Sequence, residues 1–151
     1  MTNPEPARSR AQRRTDALDR LAGDRDAWVA TASADGMPTL VPLWFLWDRG
    51  RLLMCTRRNT PTARNLTPRG EAVVTVGHAT DVVHIAGAAE VEECDALPPG
   101  SGDAFSAKLG WDPRGGAQWV FVRITPHTVK AWREDNEQPG RLLMREGRWL
   151  D

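Results

Sequence analysis

The chain has 151 residues, enough for one domain that buries roughly 70% of its unfolded surface without a disulfide or a metal. Its 20 Lys+Arg balance 20 Asp+Glu, which argues against a dedicated nucleic-acid binder, since such proteins carry a basic surplus. Two cysteines outside any CxxC pattern, a polar N-terminus with no apolar h-region and no apolar run of about 18–20 residues argue against a disulfide framework, a signal peptide and a membrane span; the expected setting is the reducing cytoplasm.

Residues 1–10 contain two prolines and mostly polar side chains, and the expectation is a disordered tail ahead of one domain over 11–151. Residues 11–22 predict a helix with Ala17, Leu18 and Leu21 on one stripe, Arg13, Arg14 and Arg20 largely outside it, and Gly23 as C-cap. Residues 27–34 (AWVATASA) predict a strand running into the hairpin dipeptide Asp35-Gly36. Residues 39–48 (TLVPLWFLWD) are apolar on both alternating faces, which suits a strand with the core on one side and a partner or ligand on the other. Pro42 cannot donate to a ladder, so an edge or a bulge is expected there. Arg49-Gly50 turns the chain into a third strand, RLLMCT (51–56).

A helix over 61–66 should follow, capped by Thr60 and opened by Pro61. EAVVTVGH (71–78) and DVVHIAGAAEVEE (81–93) predict two more strands. A loop and a short helix over 103–111 follow, then strands at 118–126 and 128–134 joined tightly at Pro126-His127. Residues 141–150 predict a last strand pair or packed coil. There is no βαβ alternation, so the pattern points to a mainly β, antiparallel barrel with a few short helices.

The stretch TRRNTPTARNL (56–66) raises a chemical question. A strand delivers Arg57 and Arg58 to a helix start, where unpaired backbone N–H groups carry partial positive charge. Guanidinium groups fork onto phosphate, so a phosphate site is one reading. The other is an ordinary cap with solvated arginines. Strand alternation sends Arg57 and Arg58 to opposite faces, so only one of them reaches a shared anion; Arg64 and Asn65 lie further along the helix.

WVATASADGMPTLVPLWFLWDRGRLLMCTRRNTPTARNL, followed by EAVVTVGH and DVVHIAGAAEVEE, resembles the pyridoxamine 5′-phosphate oxidase-like flavoproteins, and among them the branch of probable F420-dependent enzymes. The likeness runs from about Trp28 to Glu93 and resumes more weakly at QWVFVRITPHTVKAWRE. It implies a six-stranded split β-barrel homodimer with flavin-type cofactors at the dimer interface. It also implies that the strand VPLWF (Val41, Pro42, Leu43, Trp44) lies along the ring by backbone contact. Thr56, Arg57, Arg58, Thr60, Thr62, Arg64 and Asn65 would hold the phosphate. Such proteins typically have Lys where this chain has Thr62, so a cation is replaced by a hydroxyl.

The implied function is an oxidoreductase, F420-dependent or alternatively FMN-dependent, that passes a hydride to a small organic acceptor; no catalytic residue is assigned. The reading from another class is a non-catalytic flavin or haem carrier. An Arg-rich arm (Arg8, Arg10, Arg13, Arg14, Arg20) either meets the oligoglutamate tail of F420 or is a solvated, frayed segment. Trp44 and Trp47 fall on opposite faces, each a candidate for ring stacking or core packing, whereas Trp119 and Trp132 suit the core or a dimer contact. His78 and His84 sit on successive strands without a ligand cluster at metal spacing, so no metal is expected. Cys55 suits a buried structural thiol. No membrane or nucleic-acid partner is expected.

Overall fold

The helix α1 (Arg10–Gly23) begins where Ser9 accepts the Gln12 amide in an N-cap bond, and the computed structural model describes the chain from residue 5 to 151. Residues 1–4 of the expected tail lie outside the described residues. Within the expected tail, Arg8 donates to Glu137 and to Asp16. The buried stripe of α1 is Arg13, Ala17 and Leu21, at strict i, i+4, i+8 spacing. Arg13 was expected to lie largely outside that stripe. It is 4% exposed because backbone carbonyls receive its fork: Arg8, Glu137 and Pro139 at 3.1, 2.8 and 3.2 Å. The cap after α1 is Asp24 rather than Gly23.

Next come β1 (Asp26–Ala32), β2 (Pro38–Asp48) and β3 (Arg51–Arg57). The hairpin between β1 and β2 turns at Gly36, with φ +87°. Arg49 and Gly50 both have positive φ, the two-residue turn that matches strand twist, and they set Asp48 against Arg51. Helix α2 (Pro61–Leu66) has the expected bounds, with Thr60 accepting from the Ala63 amide at 3.2 Å. Then follow β4 (Arg69–His78), β5 (Asp81–Glu92), α3 (Ser101–Leu109), β6 (Trp119–Trp132), β7 (Leu142–Arg145) and β8 (Arg148–Trp149).

Neighbouring strands run in the order β3-β2-β1-β4-β5-β6, and β3 pairs with β6 to close a six-stranded antiparallel barrel. Phe45, Leu52, Met54, Val74, Ile85, Val122 and Ile124 fill it. A second apolar cluster lies outside the barrel wall, where α3 brings Phe105 and Leu109 onto Leu53, Cys55 and Phe121. Phe105 meets Phe121 edge-on at 5.1 Å. Double coverage explains why five consecutive residues of β3, Leu52 to Thr56, are buried.

The expected break at Pro126-His127 is not a break. β6 is one strand, with a register shift that pairs Ala86 with Thr128 and Gly87 with Pro126. His127 is the extra residue, and a bulge accommodates the proline without ending the strand. Gly87 permits the close approach: a Cβ there would sit on the Thr125 carbonyl, 2.9 Å from its carbon. Gly87→Ala should therefore destabilise the fold by about 1–3 kcal/mol. A urea midpoint equal to that of the parent would refute the steric account.

Candidate functional site

A gap in the barrel wall separates β2 from the end of β3. The two strands pair from Asp48↔Arg51 to Phe45↔Met54, and beyond that they part. Cys55–Arg57 stay with β6, and Pro38–Trp44 stay with β1. The Phe45 amide donates to Arg25 O at 2.9 Å on the β1 side. Two-residue alternation therefore directs the amides of Leu40 and Trp44, and the carbonyls of Leu40, Pro42 and Trp44, into the gap. Pro42, expected at an edge or bulge, has its donorless nitrogen on this open edge. A strand edge that offers donors and acceptors in a row suits a flat heterocycle with a polar rim.

Trp44 stands beside the gap, 43% exposed, with the Arg25 guanidinium 4.5 Å from its ring centroid. Arg25 is itself tethered to Leu109 O at 2.9 Å. Trp47 faces the other way and packs on the barrel core. The outer face of the same sheet is apolar. Trp28 is 52% exposed, Leu40 63% and Val73 38%. They are contiguous, since Trp28 opposes Pro42 and Ala30 opposes both Leu40 and Val73.

The residues of TRRNTPTARNL do not converge on one point. Arg57 opposes Trp119 across the β3–β6 pair and lies over its ring at 5.0 Å. Trp111 props Trp119 edge-on at 4.8 Å. Arg58 is clamped by Glu93, at 2.5 and 2.8 Å, and by Ala117 O. The bond from Arg58 holds the Glu93 carboxyl below the usual carboxylate range. Arg64 donates to Asn59 O at 2.6 Å. Thr62 is 1% exposed on the buried side of α2, and Asn65 ties that helix to Thr31 of β1 at 3.0 Å. The hydroxyls of Thr56 and Thr60 lie 3.3 Å apart beyond the last β2–β3 pair, and Thr60 Oγ1 also donates to Arg57 O at 2.9 Å. With six residues, α2 spans under two turns and adds little field of its own.

The arginine arm is neither a free cationic groove nor a frayed segment. Arg8 and Arg13 hold the Glu137 turn, Arg10 reaches Asp151 O, Arg14 lies over Trp149, and Arg20 bridges Asp24 and Asp81. The carboxyl of Asp16 is held low by its bond from Arg8. His78 and His84 are not cross-strand partners, since His78 opposes Asp81 and His84 opposes Thr75. His84 alternates with buried Val83 and Ile85, so it faces outward, beside Trp132. Burial lowers its pKa, so the ring is neutral near pH 7. The Cys55 thiol is pushed up to about 12 by burial and is no nucleophile.

Residues 15–133 match the family model described as pyridoxamine 5′-phosphate oxidase. No curated protein matches the chain. Several solved structures share the fold. An F420 reductase superposes with TM-score 0.59 at 17% identity, over 84% of this chain and 98% of that one. A conserved hypothetical protein from Mycobacterium tuberculosis gives 0.62 at 21%, over 90% and 91%. A pyridoxamine 5′-phosphate oxidase-related, FMN-binding protein from Nostoc punctiforme gives 0.56 at 17%, over 80% and 81%.

Proposed function

This chain belongs to the pyridoxamine 5′-phosphate oxidase family, and we propose that it is a flavin-type oxidoreductase, F420-dependent, that reduces a small organic acceptor. The observation that carries the reading is the open edge of β2 beside Trp44, facing the gap in the barrel wall. Its backbone donors and acceptors fit the polar rim of a deazaflavin or flavin ring. Leu43 and Val41, on the alternate face, pack against the barrel core and hold that edge rigid. When bound, reduced F420 would supply a hydride donor. The chain's own part is to fix the ring on the strand edge, exclude water with Trp44 and present N–H groups to charge that develops on the acceptor.

The phosphate end fits less well. Thr56 offers a hydroxyl, whereas the Thr60 hydroxyl donates to Arg57 O, Arg57 lies over Trp119, Arg58 is clamped by Glu93 and Thr62 is buried. A missing charge-assisted bond costs roughly 1.5–3 kcal/mol, or about one to two decades of affinity. The test is a fluorescence titration of the apoprotein with F420, FMN and riboflavin. Expected are tightest binding of F420 and nearly equal binding of FMN and riboflavin. A preference for FMN would move the assignment to FMN-dependent chemistry, and saturation by none would overturn the reading.

The carrier reading draws on the same poorly served phosphate end. Turnover decides: a carrier binds the cofactor and never oxidises its reduced form with any acceptor. We also propose a cytoplasmic homodimer, assembled through the apolar outer face of Trp28, Leu40 and Val73.

A further inference from the structure

A second cleft opens on the other flank of α2. It measures about 540 Å³, within the usual range for small-molecule sites, and its walls include Arg58, Arg64, Pro68, Val91, Glu93 and Val120. Asn65 ties the first flank of α2 to β1, next to β2 and the gap. The second cleft instead has walls from β5 and β6. It is therefore separate from the strand edge proposed to hold a ring.

Its chemistry is that of an amphipathic pocket. Val91 and Pro68 form the apolar walls, and the buried Val120 lies beneath them. Two guanidinium groups reach it, but their states differ. Arg58 is neutralised by the bidentate Glu93 carboxylate. Arg64 spends one N–H on Asn59 O and makes no ion pair among the described residues. Two cations and one carboxylate leave one positive charge over an apolar floor. A dianion would meet Glu93; a neutral molecule would leave the Arg64 fork unused.

We propose that this cleft binds a small organic monoanion, a carboxylate on a short apolar body, with the carboxylate on Arg64 and the body on Val91 and Pro68, above the buried Val120. This binding does not rest on the flavin reading, although the resemblance assigns Arg58 and Arg64 to the cofactor phosphate, and competition by flavin separates the two uses. The probe is hexanoate, titrated into the full chain while the methyl NMR signals of Val91 and Val120 are followed, with 1-hexanol as the neutral control. Hexanoate should shift both valines saturably and hexanol should not. Arg64→Gln, a change at an exposed side chain, should weaken binding about tenfold with an otherwise unchanged methyl spectrum. Glu93→Gln should tighten it severalfold by releasing Arg58. Equal shifts from hexanol would overturn the proposal, as would unchanged affinity in Arg64→Gln. So would competitive displacement of hexanoate by FMN or F420, which would make the cleft part of the flavin site.

Discussion

Glu137→Ala should cost about 3–5 kcal/mol of stability, because it strips a buried ion pair of one partner and leaves the other uncompensated. The carboxylate is 3% exposed. It takes Arg8 in a fork at 2.9 and 2.7 Å, the Arg8 amide at 3.0 Å and the Arg133 amide at 2.9 Å. It thereby joins the segment before α1 to the connection between β6 and β7. Arg13, buried beside it, needs the same turn's carbonyls and would lose its setting as well. Urea unfolding of the variant and the parent at neutral pH checks the magnitude.

The same residue carries a pH signature. Its pKa is lowered from 4.5 to about 2, first by the Arg8 hydrogen bond. A depressed folded pKa means that the stabilisation is fully present above the unfolded value near 4.5. It is lost progressively as pH falls toward about 2. Glu137→Gln cannot titrate. The stability gap between parent and Glu137→Gln should therefore be widest at neutral pH and shrink as pH falls through that window. A gap constant with pH would show that Glu137 does not act as a carboxylate.

Trp28→Asp combined with Leu40→Asp should convert the proposed homodimer to a monomer and abolish tight flavin binding while leaving the fold intact. Both side chains are more than half exposed in the single chain, so charges there disturb no core. In a dimer they would sit desolvated in the middle of an apolar contact, where unpaired charge costs several kcal/mol. Light scattering should show the mass halved, circular dichroism should stay the same, and flavin affinity should fall by about tenfold or more. A variant that keeps the parent's mass would remove this face from the interface. A monomeric variant that binds flavin as the parent does would place the whole cofactor site within one chain.

Much of the barrel was legible because hairpins are written locally. Asp35-Gly36 and Arg49-Gly50 supply positive φ where the chain must reverse, and the strands on either side follow by alternation. Thr60 and Pro61 start α2 where capping rules put it. The open edge at Pro42 also follows from one residue, which has no N–H to give.

The fates of the arginines were not legible. Arg13 donates to Glu137 O across a separation of 124 residues, and Arg58 reaches Glu93 across 35. A helical wheel or a motif assigns a guanidinium to solvent or to an anion. Only the closed barrel decides which carbonyl, carboxylate or ring arrives first. The continuity of β6 through Pro126 has the same origin: the rule for proline predicts a break, and Gly87 on the neighbouring strand makes room for a bulge instead. By itself the sequence determined where the chain turns, which strands are apolar and which helix is capped, because those depend on residues a few positions apart. The tertiary structure alone decided which charges are spent inside the fold and which remain for a ligand, because a buried charge is assigned by partners that sequence distance does not bring together.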